Sequence, residues 1–186
     1  DANRNGKDGF ELDFVGGDLT ITDVSANNNE DHGFEIYNQM GDVTITEAEA
    51  NLNKDYGFFI YSLDLDLAIT GSEADDNVED GFRVWNVDGN VTITDTDADS
   101  NDADGFNVER IDGNVTFTEA GADDNDSDGF DVDGIEGNVT LTAINAERNK
   151  DDGVDLDDID GSVTIHDSEA SENGDNGFTI DTVGID

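Results

Sequence analysis

The chain has 186 residues, with 49 Asp plus Glu against 7 Lys plus Arg, a formal net charge of −42. A surface this acidic repels phosphate backbones and anionic lipid, which excludes nucleic acid and membrane surfaces as partners. The sequence contains no Cys, hence no disulfide, thiolate metal site or Cys nucleophile, and no apolar run long enough to insert in a bilayer.

Such charge at a mean hydropathy of −0.59 ordinarily signals disorder. Two features oppose that reading: Pro is absent, and the apolar residues recur at a fixed interval. Ala2, Ala26, Ala50, Ala74, Ala98, Ala122, Ala146 and Ala170 are each 24 apart. Three residues after each Ala comes an Asn, from Asn5 to Asn173, and four later a Gly, from Gly9 to Gly177. Phe follows the Gly in seven of eight units, with Val154 the exception. This Phe opens the first predicted strand, as in Phe82–Trp85, where large and polar residues alternate. A second strand follows in the Val-Thr-Ile-Thr stretch, as in Val91–Thr94. A weaker third piece runs through Thr96, Asp97 and the next Ala. Gly, Asn and Asp punctuate the pieces and are expected to supply positive φ at the bends.

Apolar residues at helical spacing are absent. The chain therefore reads as all-β: one parallel β-helix domain over 1–186, of about eight 24-residue coils with three short strands each. The units are 2–25, 26–49, 50–73, 74–97, 98–121, 122–145, 146–169 and 170–186. Stacking places Phe10, Phe34, Phe58, Phe82, Phe106, Phe130 and Phe178 in one interior file. The Asn file, polar yet invariant, is expected to be a buried ladder of side-chain amides.

The motif A-x-x-N-x-x-x-G-F-x-[IV] followed by G-[DN]-V-T-I-T resembles the repeats of right-handed parallel β-helix proteins of the pectate-lyase-like superfamily. It is most similar to their acidic surface and secreted members from marine bacteria and halophilic archaea. The resemblance implies the fold and an extracellular or cell-surface location. It does not imply one function, since lyases, adhesins, tailspikes and inert spacers share the architecture.

In such a stack, outward acids form files about 4.8 Å apart, and each neighbouring pair repels by ~1 kcal/mol even in water. Salt or bridging divalent cations must offset this. Asp104, Asp126, Asp128 and Asp152 are the candidate Ca²⁺ ligands; Asp124-x-Asp126-x-Asp128-Gly129 matches only the first half of an EF-hand loop, because Ile135 stands where its closing Glu belongs. No organic cofactor is implied.

Three surfaces compete for function. Tyr37, Tyr56, Phe59, Tyr61, Arg83 and Trp85 fall on the outward positions and adjoining turn of neighbouring coils and are expected to form a contact patch for a partner. The rows Thr20/Thr22, Thr44/Thr46, Thr92/Thr94, Thr116/Thr118 and Thr140/Thr142 resemble an ice-binding grid, although acids flank them. A catalytic cleft is not expected, because no coil carries an inserted loop. The reading at this point is a non-catalytic extracellular structural element, such as a filament, sheath, surface layer or adhesin. Copies of it are expected to associate end to end or side by side; ice binding and polysaccharide binding, or lyase-like chemistry, are the alternatives.

Overall fold

The computed structural model describes residues 1–184 and is built from strands alone, two per turn with a partial third. In chain order the turns hold β1 (Phe10–Asp13) and β2 (Leu19–Ser25), β3 (Phe34–Gln39) and β4 (Val43–Glu49), and β5 (Phe58–Leu63) and β6 (Leu67–Thr70). Next come β7 (Phe82–Val87) and β8 (Val91–Thr94), then β9 (Phe106–Ile111) and β10 (Val115–Thr118). The last turns hold β11 (Phe130–Ile135), β12 (Val139–Thr142) and β13 (Asn145–Glu147), then β14 (Val154–Ile159), β15 (Val163–His166) and β16 (Glu169–Ser171). β17 (Phe178–Ile180) begins an eighth turn, so about seven turns are complete rather than eight.

Every pairing is parallel and joins residues 24 apart, as Phe58 pairs with Phe82 and Val91 with Val115. The first sheet runs β1-β3-β5-β7-β9-β11-β14-β17 and the second β2-β4-β6-β8-β10-β12-β15. The third face departs from expectation. Among the described residues its one pair of separate strands is β13 with β16; elsewhere it is a ladder of single bridges, Glu49–Glu73–Asp97–Gly121–Asn145.

The chain turns at three corners per coil, and each corner is one residue in the left-handed region. Asn38, Ser62, Asn86, Arg110 and Asp158 form one file of such residues, Asp23, Glu47, Asp95 and Glu119 a second, and Asn28, Asp76, Ser100 and Asp124 a third. Only Gly71 and Gly134 are glycines among these corners, which corrects the expected role of Gly. Gly instead sits where coils touch: a Cβ on Gly33 would lie 2.6 Å from the carbonyl oxygen of Gly57 and 2.8 Å from Asn53 Nδ2.

That close approach serves the Asn ladder. Oδ1 of Asn101 accepts hydrogen bonds from the backbone N–H of Asn77 at 3.0 Å and from its Nδ2 at 3.1 Å, and the arrangement repeats from Asn5 to Asn173. In the later coils Nδ2 also reaches back to an Ala carbonyl, as from Asn101 to Ala74 at 3.0 Å. The ladder is buried from Asn29 to Asn149, as its invariance implied, because each amide there satisfies backbone groups that water cannot reach. Beside it the Phe rings stack at 4.6–5.1 Å from Phe10 to Phe130 and are fully buried from Phe34 to Phe130, whereas Phe178, expected in the interior, is exposed. Phe117 meets Phe106 and Phe130 edge-on from the second sheet and joins the two walls of the core.

Candidate functional site

The outer face of the first sheet carries the irregular residues of the chain. Strand alternation points every second side chain outward, and register aligns them in files. One file runs Glu35, Phe59, Arg83, Asn107, Asp131 and Asp155; its neighbour runs Tyr37, Tyr61, Trp85, Glu109, Asp133 and Asp157. In the turn before the sheet, Asp8, His32, Tyr56, Asp80, Asp104, Asp128 and Asp152 occupy equivalent positions. The face is thus aromatic over coils two to four and acidic beyond.

The structure brings the aromatic residues together. The Tyr37 and Tyr61 rings stack at 5.0 Å, only 3° from parallel. Phe59 lies 4.6 Å from Tyr61 and 5.0 Å from Tyr56. Trp85 is next in file after Tyr61, and Arg110 Cζ lies 5.3 Å from its ring centre. All of these rings are half-buried, each leaving part of a face to solvent. Tyr37 and Tyr61 donate their hydroxyls to Glu11 and Glu35 at 3.1 and 3.3 Å. Burial, followed by the Glu11 hydrogen bond, pushes the Tyr37 phenol up to about 12.

Arg83, expected as a free contact residue, is instead engaged: it donates to Glu109 at 2.6 Å and lies 4.0 Å from Asp80. Asn107 was not singled out by its sequence. It is buried, and its Nδ2 donates to Asp104 at 2.9 Å and to Asp131 at 3.0 Å, linking turn to sheet. Burial raises the Asp80 carboxyl to about 7, with the Asp104 charge adding to the effect. Asp131 rises to about 7 in the same way, by burial first and then by Asp104 and Asp128.

The four candidate calcium ligands do not fit one cage. Asp104, Asp128 and Asp152 share a file, but the Oδ1 atoms of Asp104 and Asp128 accept the backbone N–H of the next coil, at 2.9 and 2.6 Å. Asp126 faces another way and pairs with Lys150. Among the described residues no three of these carboxylates converge. Physically, an Asp spent on a backbone N–H cannot turn its whole carboxylate to a cation.

The Thr rows lie on the outer face of the second sheet in register, Thr20 with Thr44 and Thr92 with Thr116 with Thr140. The companion row aligns Thr22 with Thr46 and Thr94 with Thr118 with Thr142. Ala68 interrupts the first row and His166 ends the second. In the third coil Leu63 and Leu67 point inward and are buried, while Leu65 is exposed.

Among the described residues no helix is long and apolar enough to cross a membrane. A family profile described as "Right handed beta helix region" matches residues 64–184. The chain belongs to that family, and the handedness expected from its repeats stands. No curated protein matches the chain in sequence.

Two solved structures share the fold. A mannuronan C-5 epimerase, the A-module of AlgE4 from Azotobacter vinelandii, superposes with a TM-score of 0.69 at 16% identity, over 98% of this chain and 56% of that one. The pectate lyase Pel9A superposes with a TM-score of 0.65 at 21% identity, over 92% of this chain and 52% of that one. The chain thus spans little more than half the length of either, and at these identities the likeness is one of fold. It nevertheless corrects one expectation. Both neighbours are enzymes on this coil architecture, so evenly spaced coils are no ground for excluding catalysis.

Proposed function

We propose that the protein is an extracellular polysaccharide-binding β-helix that receives the polymer along the outer face of its first sheet. The observation that carries this reading is the file Tyr37–Tyr61–Trp85, one partly exposed ring per coil in register, with the Tyr37 and Tyr61 rings stacked at 5.0 Å. A sugar ring has an apolar C–H face and a rim of hydroxyls. The first packs on aromatic faces, and the second hydrogen-bonds to carboxylates, amides and guanidinium groups. Glu109, Asn107, Asp131 and Arg83 supply such groups beside the rings. The fold shared with a pectate lyase and a mannuronan epimerase supports a polysaccharide as the ligand class. A surface adhesin is the cell-level form of this proposal, and the salt-rich setting expected from the acidity belongs to it.

A catalytic reading of the same face is favoured by one further observation. Asp80 and Asp131 have carboxyls raised to about 7, so near neutral pH each exists in both protonation states. That is the condition under which a carboxyl exchanges protons with a bound sugar most effectively.

The test is affinity electrophoresis through gels containing pectate, mannuronan or a neutral glucan, repeated at high salt. The expected result is retardation by the neutral glucan at low salt, or by pectate or mannuronan at high salt where the repulsion between acidic chain and acidic polymer is screened, with roughly tenfold weaker binding for Trp85→Ala. Wild-type protein that migrates unretarded in all three, or a Trp85→Ala variant retarded equally, overturns the proposal. A sizing column run on the same preparations reports whether copies associate.

A further inference from the structure

A second site lies at the first two coils, where the acidic turn file is broken by a histidine. The file reads Asp8, His32, Tyr56, Asp80, Asp104, Asp128, Asp152. His32 is held firmly: its backbone N–H donates to Asp8 Oδ1 at 3.1 Å, and its ring stacks on Tyr56 at 5.5 Å and meets Phe59 at 5.2 Å. The side chain is only 12% exposed.

Its two nitrogens face different groups. Nε2 lies 3.8 Å from Asp31 Oδ1, and donor atoms of Asp8, Asp31 and His32 all fall within 4.8 Å of one another. Asp8 also belongs to a second such group with Glu11 and Glu35. Nδ1 is buried, has no hydrogen-bond partner and lies 3.7 Å from Asp55 Oδ1. Among the described residues no Lys or Arg pairs with Asp8, Asp31, Asp55, Glu11 or Glu35. Asp8, Asp31 and Asp55 therefore stand beside the imidazole without a fixed cation, and Glu11 and Glu35 join Asp8 in the adjoining group.

An orphaned, buried Nδ1 facing a carboxylate is the outer half of a carboxylate–histidine–metal arrangement. There the proton on Nδ1 is directed at the carboxylate, and the Nε2 lone pair is left for a metal. Replacing an oxygen donor by imidazole also moves a site's preference from calcium and magnesium toward zinc-like ions. We propose that His32 Nε2, Asp31 and the Asp8 oxygen left free by the His32 N–H bind one divalent transition-metal ion of the zinc class, with Asp55 orienting the imidazole and solvent completing the donor set. The distances suit closure around an ion by small side-chain rotations, since zinc holds nitrogen and carboxylate oxygen at about 2.0–2.2 Å. The site is independent of the polysaccharide proposal.

A protein this acidic gathers counter-ions everywhere, so the test must separate a built site from the general field. Calorimetric titration of the whole chain with ZnCl₂, in about 1 M NaCl with excess MgCl₂ to screen loose binding, is expected to show one tight equivalent. Co²⁺ in place of Zn²⁺ should give a visible absorption band from imidazole coordination. Asp31→Asn and His32→Gln should each weaken the tight equivalent at least tenfold, and Asp55→Asn about 10- to 100-fold as an outer-shell partner. His166→Ala should leave it unchanged, since that imidazole is exposed beside Asp167. Zn²⁺ binding that Mg²⁺ displaces fully, or that persists equally in Asp31→Asn and His32→Gln, overturns the proposal. Should His32→Gln fail to fold, Asp31→Asn and the Co²⁺ spectrum of the wild type decide the matter.

Discussion

Asp80→Asn is expected to stabilise the fold, and to do so only where the carboxyl is ionised. Asp80 is buried, and its Oδ1 accepts the backbone N–H of Asp104 at 3.0 Å. An Asn keeps that acceptor: Asn27 Oδ1 accepts the N–H of Asn51 at 2.7 Å, and Asn90 Oδ1 that of Asn114 at 2.9 Å. What the substitution removes is a charge whose pKa the fold raises from 3.8 to about 7. At 1.36 kcal/mol per unit, ionising Asp80 in the folded state costs at most about 4 kcal/mol above pH 7. The lost attraction to Arg83, 4.0 Å away and already bonded to Glu109, offsets about 1 kcal/mol of this. A gain of about 2 kcal/mol at pH 8 is a reasonable centre. The folded pKa lies above the unfolded one, so the wild type loses stability as pH rises from about 4 through 7. The gain from Asn must therefore shrink toward zero as pH falls to about 4. Urea unfolding followed by circular dichroism at pH 5 and pH 8, at fixed ionic strength, reads both quantities from the midpoint. A variant no more stable than wild type at pH 8, or equally stabilised at both pH values, refutes the reasoning.

Asn101→Ala should cost about 2–4 kcal/mol, because it strands the buried N–H of Asn77 and the carbonyl of Ala74. Asn114→Ala, in an exposed file, should cost less than about 1 kcal/mol in the same unfolding assay. Gly105→Ala should destabilise by about 3 kcal/mol or more, since its Cβ would lie 2.8 Å from both Asn125 Nδ2 and the Gly129 carbonyl; Gly16→Ala, with open space around it, should be neutral. The melting temperature should climb steeply between about 0.05 M and 1 M NaCl, as the screening length falls to about 3 Å, below the spacing of the acid files. A melting point flat across that range would show that the files do not govern stability.

The Phe file and the Asn ladder were legible in the sequence because the Asn recurs every 24 residues without exception and the Phe with the single exception of Val154, and a parallel stack converts sequence period into spatial contact. The outward aromatics were legible too, since alternation along Phe82–Trp85 fixes which side faces solvent. Three features were not. The third strand shrank to single bridges, because a left-handed residue such as Asp95 and the inward Thr96 leave only Asp97 free to pair before the chain bends again. The glycines were misread because local turn rules describe one chain, whereas Gly33 is needed by the coil beside it. Asn107 was invisible as a site residue: its burial depends on Asp104 and Asp131 closing over it from two different coils.

The excess of Asp over Glu has the same origin, and it changes what the acidity means. Short carboxylates suit cation sites and solvated faces equally well in principle. In the structure they cap backbone: Asp75 accepts the N–H of Asp99 at 2.9 Å, Asp99 that of Asp123 at 2.8 Å, and Asp66 that of Asn90 at 2.7 Å. Glu, one methylene longer, does not match that reach, whereas Asn does, as Asn3, Asn27 and Asn138 show. The geometry therefore asks for an acceptor at these positions and not for a charge. Where the acceptor is nonetheless Asp and buried, the fold carries an electrostatic cost that Asn would remove; burial raises Asp75 and Asp80 to about 7 and Asp99 and Asp128 to about 6. That cost repeats along two files, so Asn at Asp75, Asp99 or Asp128 should stabilise the fold above pH 7 as at Asp80, with the backbone caps kept.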